Sequence, residues 1–239
     1  SLERITMTAP AKRHKLRVLA ELAALAAGPG DEVRGSAYEL MLAQLAEHKR
    51  TLKTIQSTER KIEAKRKMLP DFEDYVTGAL EGGQGAHDMV LTTVLVWHLD
   101  AGNWARGLEI AAYALAHGLV LPDQYNRTLP TLLIDETATA AAKGQLVGDE
   151  ALRVLAEVDQ LTAAHDAPDQ ARAKLYKAIG YALIGKTPTH EPDFTTLDET
   201  KARLAMEKLQ RAHELFAQVG VKKDMERLER RIKAATGTD

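Results

Sequence analysis

The chain has 239 residues, enough for one good core or two small ones, and its 45% hydrophobic and 28% charged composition fits a soluble globular protein rather than a disordered one. Cysteine is absent, which excludes disulfides and thiolate metal sites and makes a cytosolic setting the natural expectation; no apolar run reaches the roughly 20 residues of a membrane span. The net charge of −2 conceals basic ends around an acidic middle, with 14 Lys/Arg against 8 Asp/Glu in residues 1–70, 4 against 16 in residues 71–170, and 14 against 10 in residues 171–239.

Aromatic residues are scarce at 5%, Ala, Leu, Glu, Lys and Arg abound, and no stretch alternates in the manner of a strand, so an all-α helical bundle is expected. Met7 reads as a natural start, with Ser1 to Thr6 upstream of it. Thr8-Ala9-Pro10 then opens a helix that carries Lys12, Arg13, Lys15 and Arg17 ahead of Val18, Leu19, Leu22 and Leu25, and Gly28-Pro29-Gly30 ends it.

Ser36 caps the longest predicted helix, which runs to about Leu69 and would be about 50 Å long. Met41, Leu45, Leu52, Ile55 and Ile62 follow a heptad spacing along it, the pattern of a helix that crosses between subunits or docks on a core, and they are the candidate oligomerisation residues. Its basic cluster, including Lys61, Lys65 and Arg66, is either a solvated face or a second set of phosphate contacts.

Pro70 breaks that helix, and a short one over Asp71 to Leu80 leads through Gly82-Gly83 to the central hairpin. Its first arm, Met89 to Leu99, is apolar almost all round and expects neighbours on several sides. After a break at Ala101 to Asn103, a second arm carries Trp104, Leu108, Ala111, Leu115 and Leu119 on one stripe, packed antiparallel on the first. Further helices are expected around Thr131 to Gly144, Asp149 to Ala164, Ala171 to Ile184 and Leu197 to Val219. Val221, Met225, Leu228 and Ile232 mark a charged end helix. These elements suggest a basic N-terminal arm for DNA (1–30), an oligomerisation helix (31–70), an acidic central core (71–165) and a C-terminal hairpin with its end helix (166–239).

Gly180 to Thr187 fits the G-x-x-x-x-G-K-[ST] pattern of a phosphate-binding loop, but a helix precedes it and Pro188 and Pro192 occupy the place of the helix that should follow. Gly185 is better read as a helix end, and no cofactor is expected. The eight histidines have no metal-ligand spacing, and the pairs Asp135-Glu136 and Asp149-Glu150 point apart on a helix, so no metal or catalytic residue is assigned.

The stretches TAPAKRHKLRV, AYELMLAQLAEHKRTLK, KRKMLPDFEDYV, GALEGGQGAHDMVLTTVLVWHLDAGNWARGLEIAAYALAHGLVLP and GVKKDMERLERRIK together resemble the small terminase subunits of contractile-tailed, cohesive-end temperate bacteriophages, the central block being the specific part. The resemblance implies a non-catalytic protein of the host cell cytoplasm. Such a protein would bind viral double-stranded DNA at the packaging site, assemble as a ring or similar homo-oligomer, and recruit and regulate the large terminase subunit that supplies ATPase and nuclease. The resemblance also implies a Lys/Arg-rich C-terminal tail, whereas this sequence stops at Gly237-Thr238-Asp239. On the residues alone, DNA is assigned mainly to Lys12, Arg13, Lys15 and Arg17, with Lys61, Lys65 and Arg66 second. A helical-repeat scaffold that binds only proteins is the alternative, and a P-loop nucleotide-binding protein the third reading.

Overall fold

The structure, a computed structural model, describes residues 10–122 and 126–236; the expected start at Met7 and the terminal Gly237 to Asp239 lie outside the described residues. Among the described residues all regular elements are helical, apart from two isolated bridges, Glu32 with His87 and Thr187 with His190. The fold is all-α. The chain forms two compact units, Ser1–Asn126 and Arg127–Asp239, and the division falls inside the acidic middle.

The first unit contains α1 (Pro10–Ala26), α2 (Ser36–Thr54), α3 (Thr58–Met68), a 3-10 turn (Leu69–Phe72), α4 (Glu73–Gly82), α5 (Met89–Asp100) and α6 (Trp104–Ala116). α5 is its centre. Every residue from Val90 to Leu99 is buried, as an element apolar on all sides requires. At its N-terminus the buried Asp88 accepts the Leu91 N–H at 2.8 Å and the Tyr75 hydroxyl at 2.7 Å. Burial pushes the Asp88 carboxyl up, and those hydrogen bonds oppose the shift. Phe72 meets Trp97 edge to face at 6.1 Å between ring centres, and the His48 ring packs beside both. The break at Ala101 to Asn103 and the return of α6 along α5 agree with the expected hairpin.

The continuous helix expected from Ser36 to Leu69 is two helices. Ile55 is extended (φ −94°, ψ 125°), and the Ser57 Oγ accepts the Arg60 N–H at 3.3 Å to start α3. Ser57 is a strong N-cap residue, and the Thr51 and Thr54 hydroxyls donate to the carbonyls of Glu47 and Thr51, so local side-chain bonds outcompete the heptad register. The seam is divided accordingly. Met41, Leu45 and Leu52 are buried in the chain's own core, while Ile55 and Ile62 are half-buried.

His98, near the end of α5, is buried with its Nδ1 3.0 Å from the Asn103 Nδ2, so Nδ1 accepts and the ring is neutral. Burial, and then the charge of Arg106, lower its pKa from 6.5 to about 4. A depressed histidine pKa means that the unfolded chain takes the proton first, so stability falls as pH drops from about 6.5 towards 4. Between pH 7 and pH 5 this histidine should cost the folded unit roughly 1–2 kcal/mol. In His98→Asn that part of the pH dependence disappears, as read from urea midpoints at the two pH values. Asp88 titrates in both proteins and cancels in the difference, so an unchanged slope would contradict the assignment.

The second unit contains α7 (Leu129–Ala142), α8 (Gly148–Thr162), α9 (Asp169–Leu183), α10 (Glu199–Leu215) and α11 (Lys222–Thr236). α9 is its hub, in contact with α7, α8 and α10. Gly180 lets α10 approach closely, since a Cβ there would lie 2.6 Å from the Leu209 Cδ2. The Arg172 guanidinium donates to the Thr162 hydroxyl at 2.9 Å and to the His165 carbonyl at 2.8 Å, which ties the α8–α9 connection down. α10 ends four residues earlier than expected, where Phe216 turns extended, and the α11 stripe centres on the fully buried Leu228.

Candidate nucleic-acid interface

The basic N-terminal helix is docked on the protein. α1 runs in the same direction as α4 and lies against it, because Gly78 faces the Arg17 carbonyl and Gly82 the Glu21 carbonyl with no side chain between them. At the edges of this contact Arg13 Nε donates to Asp74 at 2.7 Å and Arg17 Nε to Glu81 at 2.8 Å. Each guanidinium pKa is raised, first by that hydrogen bond and then by the carboxylate charge. Two of the four N-terminal candidate cations are therefore committed to α4. Lys12 and Lys15 are exposed and make no ion pair among the described residues.

The second cluster divides in the same way. Lys65 pairs with Asp100, and the Arg66 Nε donates to the Ala101 carbonyl at 2.9 Å, so both fasten α3 to the C-terminal end of α5, where a helix attracts cations. Lys61, half-buried, and the exposed Arg60 and Lys67 form no ion pair among the described residues. Arg60 and Lys67 are two turns apart on one face of α3.

The sequence reading missed Lys49 and Lys53. They stand one turn apart on the last two turns of α2, and burial followed by the Lys53 charge lowers the Lys49 pKa. Neither has a carboxylate partner among the described residues, whereas Arg50, between them in sequence, pairs with Glu47. Their i, i+4 spacing is visible in the sequence, but only the end of α2 at Thr54 sets them beside the start of a second helix.

At the other end of the chain the basic residues are largely consumed. Arg227 pairs with Glu191 and sits 5.3 Å from the Phe194 ring centre, Arg231 Nε donates to the Leu197 carbonyl at 2.8 Å, and Arg230 bonds back to Glu226. Lys186 of the phosphate-loop-like stretch lies between Asp224 at 2.8 Å and Glu191 at 3.0 Å. Gly180 is inside α9 and Gly185, at φ +71°, closes it, so this stretch is a helix end whose lysine is held by two carboxylates. Among the described residues no three His, Asp or Glu side chains converge as metal ligands.

A model of the phage small terminase subunit family matches residues 42–170, which takes in α3 and the whole central hairpin. The chain is 43% identical over 229 residues to the "Terminase, endonuclease subunit" of Escherichia phage P2, covering 95% of this chain and 87% of that protein. It is 24% identical over 206 residues to the "Probable terminase, endonuclease subunit" of Haemophilus phage HP1, covering 84% of this chain and 72% of the relative. No solved structure matches it. With more than half the chain inside the family match and the P2 likeness running nearly end to end, the chain belongs to the phage small terminase subunit family.

Proposed function

We propose that this protein is the non-catalytic subunit of a phage DNA-packaging terminase, acting in the host cytoplasm. It binds viral duplex DNA at the packaging site, self-associates, and recruits and regulates the large subunit that supplies ATPase and nuclease. The observation that carries the DNA assignment is a run of cations on two successive helices that form no ion pair among the described residues: Lys49 and Lys53 on α2, and Arg60, Lys61 and Lys67 on α3. Lys12 and Lys15 on α1 come second. Arg13, Arg17, Lys65 and Arg66 act behind them by holding α1 and α3 in place. Self-association rests on the family, since three residues of the α2 seam are already taken by the chain's own core.

The two relatives carry the word endonuclease in their names. The present reading gives cleavage to the large subunit and rests on the small-subunit family. Among the described residues no helix is long and apolar enough to cross a membrane, and no membrane partner is assigned.

Phosphate contacts release counterions, so the logarithm of affinity falls with that of salt at a slope of about −0.9 per neutralised phosphate. Replacing Lys49, Lys53, Arg60 and Lys67 with Ala should weaken binding to every duplex and flatten that slope by up to about 3.6 for each engaged copy. Replacing Lys222 and Lys223 should do little. With magnesium present and the large subunit absent, the duplex should stay intact. A larger loss from the C-terminal pair would move the interface to the second unit, and cleavage by this chain alone would overturn the non-catalytic assignment.

A further inference from the structure

The two faces of α3 differ in how far their side chains are committed. The inner face carries the half-buried Ile62 and the buried Met68, and it is fastened by Lys65 to Asp100 and by the Arg66 Nε to the Ala101 carbonyl. The Ser57 cap fixes the first turn. On the outer face Arg60, Glu63 and Lys67 recur at intervals of three and four residues, which sets them on one line along the helix, and all three are exposed. α3 is a docked helix that presents a short charged ridge.

The order along that ridge is cation, anion, cation. Arg60 and Lys67 stand seven residues apart, about 10 Å along the axis, close to the roughly 12 Å width of the B-DNA major groove. With α3 set obliquely in the groove, these two cations reach the phosphates assigned to them above, and Glu63 lies over the base edges between them. In a ridge that only bound phosphate, Glu63 would be a repulsive charge. The common use of such a glutamate is an ion pair with a cation one turn away, yet among the described residues Glu63 forms none with Arg60 or Lys67. Glu59 differs: it lies in the first turn of α3, where a helix favours an anion, and needs no ligand to account for it. In the major groove a glutamate accepts from the cytosine N4 amino group, whereas Arg and Lys donate to the guanine O6 and N7. We propose that Glu63 is a specificity-determining residue that reads a cytosine of the packaging site through its N4 amino group, with Arg60 and Lys67 holding phosphates on either side. The inference rests on the DNA binding in the function proposed above and assigns a base contact within it. Glu63 costs affinity for duplex DNA in general and returns it only where a cytosine stands opposite, which turns phosphate binding into sequence preference.

The test uses the full chain, with the packaging-site duplex, a scrambled duplex of equal length and selection from a randomised duplex pool. Glu63→Ala should raise affinity for the scrambled duplex and reduce the preference for the packaging site on the order of tenfold for each engaged copy. Its helical signal and melting should be unchanged, since the side chain is exposed. Glu63→Gln, whose amide suits adenine N6 and N7, should move the selected base at one position from cytosine to adenine. Methylation of the cytosine N4 groups in the packaging-site duplex should weaken the unmodified protein and leave Glu63→Ala unaffected. An equal gain of affinity on both duplexes for Glu63→Ala, or an unchanged selected sequence in both variants, would overturn the inference and leave the packaging function standing. Loss of large-subunit capture by Glu63→Ala, with its duplex preference intact, would assign the ridge to a protein contact and overturn the inference as well. An unmodified protein without preference for the packaging-site duplex would overturn the packaging-site reading together with this one.

Discussion

Gly78→Ala combined with Gly82→Ala will lift α1 off α4 and lower the stability of the first unit by roughly 2–6 kcal/mol. Two effects compete. Alanine favours a helix over glycine by about 1 kcal/mol at each site, which on its own would stabilise α4. Against this, the added Cβ atoms would lie 2.1 Å from the Arg17 carbonyl oxygen and 2.2 Å from that of Glu21. Those are backbone atoms, with no flexible side chain to yield, so the helices themselves must separate. Separation would strain the Arg13–Asp74 and Arg17–Glu81 pairs and expose Ala20 and Ala24, now almost fully buried. The clash wins because interiors are close-packed and a gap of a fraction of an ångström already forfeits much of the contact energy. Urea unfolding would show the loss, and proteolysis near Gly28-Pro29-Gly30 would accelerate. A variant with an unchanged or higher midpoint would contradict the close packing.

Leu45→Ala should cost about 2–5 kcal/mol of folding stability, because Leu45 is 2% exposed and its removal leaves a cavity that fixed neighbours cannot fill. Leu45→Glu should unfold the first unit altogether, an unpaired charge in that site being costlier still. The distinction from a seam between subunits is experimental. A seam residue changed to Glu yields a folded protein of lower mass, whereas a core residue yields loss of structure at any concentration. Circular dichroism melts together with native mass separate the two outcomes, and a folded, smaller species would contradict the single-chain packing of α2.

The first unit also shows where the sequence was legible. The α5–α6 hairpin was readable in detail because its signal is local: an element apolar on every side, a three-residue break and an alanine-rich return stripe admit few arrangements. The continuous α2–α3 helix was misread because the heptad spacing of Met41, Leu45, Leu52, Ile55 and Ile62 is a regular signal, whereas the cap at Ser57 is a single residue. The basic residues were visible, but their availability was not. That Arg13, Arg17, Lys65 and Arg66 are committed depends on Asp74, Glu81, Asp100 and the Ala101 carbonyl, between 35 and 64 residues away in the chain. Pairing at such separations is a property of the fold. The glycines of α4 make the same point: Gly82 was read only as part of the link to the hairpin, and the need for Gly78 and Gly82 shows once α1 is laid across them.

The measurement that bears most directly on the packaging role is the salt dependence of duplex binding by the unmodified protein, with a duplex carrying the phage's own packaging site compared against a scrambled duplex of equal length. The present account predicts a steep negative slope of log affinity against log salt for both, set by the cations of α2, α3 and α1, and tighter binding of the packaging-site duplex at every salt concentration. Binding that is flat in salt, or equal for the two duplexes near physiological ionic strength, would contradict it.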